Sequence, residues 1–282
     1  MIWVAGEIVQ DLALKVSVLD RTFEHGLGLF ETFRTWNGRA STLPGQLRRL
    51  AHSAQTLGLP VPAAAELPDQ ADIDRLRQAE GLENDTLLRL TMSAGSDRTP
   101  PVVWLQARPL PPAVRTGGAL VRASWSVEPT DPLLSHKTLN YWRRRLVYEA
   151  ALRAGFDEDL ALCGNSPSVT EGTRTNLFIV QHQSLQTPSD SGWLLPGVMR
   201  ETVLRLAPAL GFDLVSSTQP AIPVEAILSA DEVFLTNSVR GIVPVGSFSS
   251  SDGKIRKYPA PGPWTTKLWQ HLQHQLQEGE IP

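Results

Sequence analysis

Apolar and polar positions follow two rhythms along this chain, and the change from one to the other marks its elements. Ile2-Trp3-Val4 and Ile8-Val9 flank Ala5-Gly6-Glu7 as two short strands joined by a tight turn. Leu29 to Trp36 is aromatic and β-branched, and Asn37-Gly38 then supplies a hairpin turn. From Leu47 to Leu57 the apolar residues Leu47, Leu50, Ala51, Ala54 and Leu57 recur at helical spacing, ended by Gly58 and Pro60. Residues 72–81 predict a polar helix, and 86–93 and 102–107 predict strands. Further on come a strand (119–127), a helix (141–154), strands at 159–162 and 175–180, and a helix over 198–210. A short helix (224–228), a strand (232–236), a hairpin at Asp252-Gly253-Lys254 and an amphipathic helix (264–277) complete the chain.

Pro109-Leu110-Pro111-Pro112 interrupts this regularity, because proline lacks a ladder donor. It divides the chain into a small N-terminal α/β domain (1–108), a linker (109–117) and a larger C-terminal cofactor-binding domain (118–282). Strands and helices alternate without a strict βαβ rhythm. The class expected is α/β of mixed α+β character, with mixed rather than doubly wound parallel sheets.

Composition narrows the function classes. A net charge of −3 gives no basic footprint for nucleic acid and no polybasic membrane signal. The apolar runs are too short to span a bilayer, and the first twenty residues carry Glu7, Asp11 and Lys15 where a secretory signal needs an apolar core. One cysteine, Cys163, supports neither a disulfide nor a cysteine metal cluster, so a cytoplasmic protein without a metal site is expected. Gly26-Leu27-Gly28 is an incomplete dinucleotide fingerprint, with Glu31 where the pattern breaks. His271 and His274 share a helix face with no third ligand nearby.

The informative stretch is Ser135-His136-Lys137-Thr138-Leu139-Asn140-Tyr141, a lysine between a proline-bounded segment and the arginine-rich helix start Arg143-Arg144-Arg145. Alone it reads as a surface lysine. Burial and neighbouring cations would free its amine to attack a carbonyl. Other segments join it in order: 20–32 around Gly26-Leu27-Gly28-Leu29-Phe30-Glu31-Thr32, Leu47-Arg48-Arg49-Leu50, and Val169-Thr170-Glu171-Gly172-Thr173-Arg174-Thr175-Asn176. Leu195-Pro196-Gly197-Val198-Met199-Arg200 and 231–245, ending Ile242-Val243-Pro244-Val245, follow.

Together these segments resemble the class IV (fold type IV) aminotransferase family of pyridoxal-5′-phosphate (PLP) enzymes, over about residues 2–250. The family includes branched-chain and D-amino acid aminotransferases and aminodeoxychorismate lyase. The resemblance implies two domains with PLP in the cleft between them, and Lys137 carrying it as a Schiff base. Glu171 matches the carboxylate on the ring nitrogen, where a charge-assisted bond preserves the electron sink. Arg49 matches the arginine that grips the phosphate as a fork. Asn176, the helix start at Val198 and Met199, and the Ser238 hydroxyl complete the implied cofactor set. Phe30, Arg34, Arg98, Val239 and Arg240 fall at implied substrate positions, with the last two arginines as carboxylate binders. Gln46 stands near a place where the family often has His, and Ala94-Gly95 where an arginine-glycine pair is common.

The same residues serve transamination between an amino acid or amine and a 2-oxo acid, and lyase cleavage of 4-amino-4-deoxychorismate to 4-aminobenzoate and pyruvate. A PLP-free homologue is the alternative of another class. A homodimer whose partner closes each pocket is also implied. Residues 24–30 allow either close approach to a second chain or packing in the small domain's own core.

Overall fold

The computed structural model describes residues 1–112, 116–128, 130–215, 219–279 and 281. The chain divides into two compact units. The first comprises Met1–Pro112, His136–Asn140 and His274–Pro282, and the second Ala113–Ser135 and Tyr141–Gln273. Residues 113–115 of the expected linker lie outside the described residues. Two short segments that a contiguous division places in the second domain, 136–140 and the chain end, group with the first.

The first unit contains β1 (Ile2–Val4), β2 (Glu7–Val9), α1 (Arg21–His25), β3 (Gly28–Arg34), α2 (Leu43–Thr56), α3 (Gln70–Ala79), β4 (Thr86–Ser93) and β5 (Val103–Pro109). Its sheet runs β2-β1-β5-β4-β3 and every neighbouring pair is antiparallel, so the mixed sheet expected from the sequence is not found here. The period of two along each strand sorts the side chains. Leu29 and Phe33, Leu88, Leu90 and Met92, and Leu105 belong to the core beneath Leu50 and Ala54 of α2 and Ile73 and Leu76 of α3. The opposite register carries Phe30, Thr32 and Arg34 beside Thr91, Arg89 and Leu87. α2 starts four residues before its apolar stripe, with Pro44 in its first turn, where proline's missing donor is no loss. Asn37 and Gly38 both adopt positive φ, as the expected turn requires, but after one Trp36–Arg39 bridge the chain enters α2. The ladder partner of β3 is therefore β4.

The second unit contains β6 (Ala119–Val127), α4 (Trp142–Arg153), β7 (Glu158–Cys163), β8 (Ser168–Gly172), β9 (Asn176–Gln181), β10 (Ser184–Gln186), α5 (Val198–Leu206) and β11 (Asp213–Leu214). It continues with β12 (Ile222–Pro223), α6 (Val224–Ser229), β13 (Glu232–Asn237), β14 (Gly241–Ser249), β15 (Ile255–Lys257) and α7 (Pro263–Glu278). β6 is parallel to β7 and β14, and the other ladders are antiparallel except β10 with β11, so this sheet is mixed as expected. The pairings β9-β13-β14-β6-β7-β8 return to β9, closing a circuit of six strands. Closure brings the ends of β8, β9 and β13 side by side: Glu171 faces Asn176, and Asn176 faces Thr236. β8 was not legible as a strand, because its buried positions include the polar Thr170 and Glu171. Among the described residues no helix is long and apolar enough to cross a membrane.

A buried carboxylate secures the last helix. Glu232 accepts hydrogen bonds from the amides of Trp264 (2.9 Å) and Thr265 (2.8 Å), two of the donors that a helix start leaves unpaired. A Cβ on Gly262 would lie 2.2 Å from its Cδ, so glycine is needed to admit it. Glu232→Ala is expected to lower stability by about 2 kcal/mol, since two buried amides lose a charged acceptor. A thermal unfolding midpoint equal to that of the wild type would show the cap to be dispensable.

Candidate active site

In the first unit, residues 136–140 add to the outer edge of β3. The Phe30 amide donates to the Lys137 carbonyl and the Leu139 amide to the Gly28 carbonyl, both at 3.0 Å, with Leu29 bridged to Thr138. This register places Lys137 opposite Phe30, and its Nζ lies 4.6 Å from the centre of that ring. Gly28, at φ +127°, makes the approach possible: a Cβ there would meet Leu139 Cδ1 at 2.7 Å and the Met92 carbonyl at 2.8 Å. The close approach offered by the glycine-rich segment is thus used inside the unit, where Leu29 and Phe30 are buried and Leu27 is exposed. His136 is held at 2.9 Å by Ser53 Oγ, and burial, aided by His52, lowers its pKa.

Arg89 also sits over Phe30, its guanidinium carbon 3.9 Å from the ring centre. Sequence reasoning passed over it. The signal was a single charge at an alternating position of the apolar run Leu88-Arg89-Leu90. Arg49 occupies the helix-facing side of β3 instead. Its Nε donates to Glu31 at 2.9 Å, and its Nη2 to Glu31 and, at 2.9 Å, to Gln46. One edge of the Arg49 fork is therefore engaged with a buried carboxylate. Gln46, at the place the family often gives to His, is an acceptor that orients Arg49.

Arg34 is committed locally: Nη2 donates to Asp85 (2.8 Å), Nε to the Thr35 carbonyl (2.8 Å), and the guanidinium lies 4.1 Å over Trp36. Arg98 is an exposed residue of the 96–99 turn.

In the second unit, Glu171 is buried at the end of β8 and accepts from the Leu195 amide (3.1 Å), Asn176 Nδ2 (3.4 Å) and Arg144 Nη2. Burial alone would lower the Arg144 pKa; the charge and hydrogen bond of Glu171, with Tyr141 and Glu158, together outweigh it and hold the guanidinium above its ordinary value. Asn176 also donates to the Leu195 carbonyl (3.0 Å), tying β9 to the turn before α5. A Cβ on Gly197 would lie 1.9 Å from Asn176 Oδ1, which explains the glycine. Val198 and Met199 open α5, and no side chain caps its first-turn amides. A second carboxylate missed in the sequence, Glu158, shapes the turn after Glu171. It accepts from the Thr173 amide (3.0 Å), the Thr173 hydroxyl and Thr175 Oγ1 (3.2 Å). Ser238 is buried in the β13–β14 turn, where Asn237 Oδ1 accepts from the Val239 (3.0 Å) and Arg240 (2.8 Å) amides. The Thr236 hydroxyl before it is buried with no partner among the described residues.

The chain belongs to the class IV amino-transferase family, whose model matches residues 28–248. It is 30% identical over 277 residues to a protein of Methanocaldococcus jannaschii assigned to the branched-chain-amino-acid aminotransferases, covering 95% of this chain and 93% of that one. It is 28% identical to the aminodeoxychorismate lyase of Bacillus subtilis over 86% of this chain and 85% of the relative. The branched-chain aminotransferase structure from Thermoproteus uzoniensis superposes with a TM-score of 0.85 at 27% identity, covering 99% of this chain and 95% of that one. The protein is thus a class IV enzyme of fold type IV.

The Arg34 clamp has a measurable consequence. Burial raises the Asp85 pKa, but the Gly38 and Asn37 amides and Arg34 outweigh it, so the folded value lies below the ordinary aspartate value. A depressed carboxyl stabilises above its unfolded pKa and loses that contribution as pH falls through its folded value. Arg34→Ala is expected to destabilise by about 0.5–1 kcal/mol at neutral pH, as a partly exposed pair should. Its melting temperature should converge with that of the wild type below about pH 4. A raised KM with unchanged stability would instead return Arg34 to the substrate pocket.

Proposed function

We propose that this chain is a PLP-dependent transaminase moving an amino group between an amino acid or amine and a 2-oxo acid, with Lys137 as the lysine to which PLP is attached. The observation that carries this reading is the backbone pairing that sets the Lys137 amine on the Phe30 face of β3. The residues of the second unit fit the cofactor. Uncapped first-turn amides at Val198 and Met199 suit a phosphate, and the unpartnered Thr236 hydroxyl marks polar space beside Ser238. Glu171, with three donors around it, suits a cationic ring nitrogen, and Asn176 keeps it in place. Arg49 would meet phosphate with its guanidinium, oriented by Glu31 and Gln46.

When bound, PLP supplies an electron sink for the electron pair left at the substrate Cα. Lys137 Nζ takes the Cα proton and returns it one centre away, as a general base and then a general acid. Phe30, one ring face against that amine, keeps water from it. Arg89, over the same ring, is a cation suited to a substrate carboxylate, with Arg240 and Val239 in the β13–β14 turn as further candidates.

Purified protein given PLP should turn over a panel of L- and D-amino acids with 2-oxoglutarate or pyruvate. Lys137→Ala should lose turnover by a factor of roughly a thousand or more while remaining folded. Borohydride reduction should fix PLP to one peptide, and a peptide without Lys137 refutes the assignment. Turnover of aminodeoxychorismate alone would make the protein a lyase.

We also infer that the working form is a homodimer. Phe23 and Leu27 of the first unit are exposed, as are Trp142 and Leu146, one turn apart on α4, whose only buried residue is Ala151. Light scattering at micromolar concentration should give twice the chain mass of 30.9 kDa. A fully active species of single-chain mass would exclude the dimer.

A further inference from the structure

Of the Arg144, Asn176 and Leu195 donors to Glu171, Arg144 is the charged one, and it is not placed by its own helix. Arg144 lies in the first turn of α4 within three successive arginines, where the helix dipole disfavours cations. α4 has neither a side-chain cap nor an acidic residue in its first turn to offset them. Yet Arg144 is largely buried, with 17% of its side chain exposed. Its Nη2 goes to the Glu171 carboxylate and its Nη1 to the carbonyls of Gly172 (3.1 Å) and Thr173 (3.3 Å). One planar fork thus grips the side chain of Glu171 and the backbone that follows it, a geometry a lysine cannot reproduce. Tyr141 Oη donates to the same Thr173 carbonyl at 2.9 Å.

The Leu195 amide and Asn176 would suffice to orient a carboxylate, since both are ordinary neutral donors. A guanidinium at hydrogen-bond distance does something they cannot: it offsets the carboxylate's charge. We propose that Arg144 is a positioning residue that fixes Glu171 and shares its charge, so that a ring nitrogen against Glu171 is held protonated less firmly than by an unshared carboxylate. This rests on the reading that Glu171 meets the PLP ring. Other ionisable groups act on this cluster: Arg200 of α5, Tyr141 before α4, Glu158 of β7 and Arg174 of the turn. Arg144 differs from them in donating directly to the Glu171 carboxylate.

The test is spectroscopic. The nitrogen-15 resonance of the ring nitrogen of labelled, lysine-bound PLP is titrated between about pH 5 and about pH 10 in wild type, Arg144→Gln, Glu171→Gln and the double variant, with circular dichroism to confirm folding. Arg144→Gln should raise the midpoint by about one pH unit, a tenfold change in proton affinity, because the Glu171 charge is no longer shared. In the Glu171→Gln background the same substitution should move it less than half as far. Equal shifts in both backgrounds would make Arg144 merely a nearby charge and overturn the proposal, as would no shift in either. If Arg144→Gln fails to fold, Arg144→Lys is read instead. It keeps the cation but loses the fork, so a rise of about half a unit is expected, and an unchanged midpoint overturns the proposal. A wild type that takes up no PLP, or a midpoint unaltered by Glu171→Gln, would remove the underlying reading of Glu171.

Discussion

An unpaired strand edge must be covered, and in this protein what covers it is the segment that holds the lysine. β3 is the last strand of the first unit's sheet, and residues 137–139 satisfy its outer backbone groups. Because antiparallel partners point to the same face, that pairing alone decides that Lys137 stands with Phe30 and Arg89 and away from the helix-covered core. Gly28 is the condition for it, since any side chain there would strike Leu139 and Met92. A slip of one residue would turn the amine toward Leu29 and Phe33.

The second unit solves a different problem by closing its sheet. The circuit through β8, β9 and β13 aligns Glu171, Asn176 and Thr236 at the ends of neighbouring strands, beside the start of α5. Each polar group is then fixed by its polar neighbours. Glu158 shapes the turn, Asn176 ties β9 to Leu195, and Arg144 grips both carboxylate and turn. Buried polar clusters of this kind hold geometry well because every broken bond leaves a partner stranded in a medium that cannot replace it. The same economy explains Arg49, whose guanidinium is oriented by Glu31 and Gln46.

Local signals in the chain determined a good deal. Helical spacing in 47–57, the Asn37-Gly38 turn, the proline run at 109–112 and the order of Lys137, Glu171 and the Leu195–Arg200 segment all follow from residue type and separation. So does the family, since those motifs fall within the matched residues 28–248. Tertiary structure decided what depends on partners distant in sequence. It set β4 rather than the next segment beside β3, made a strand of the polar 168–172, and took Arg34 for Asp85. It also brought Arg89 over Phe30 and Arg144 onto Glu171, pairings across 59 and 27 residues respectively. A sequence pattern records which face a residue shares with its near neighbours. The charge or ring that meets a side chain from another element is fixed only when burial and backbone pairing bring those elements together.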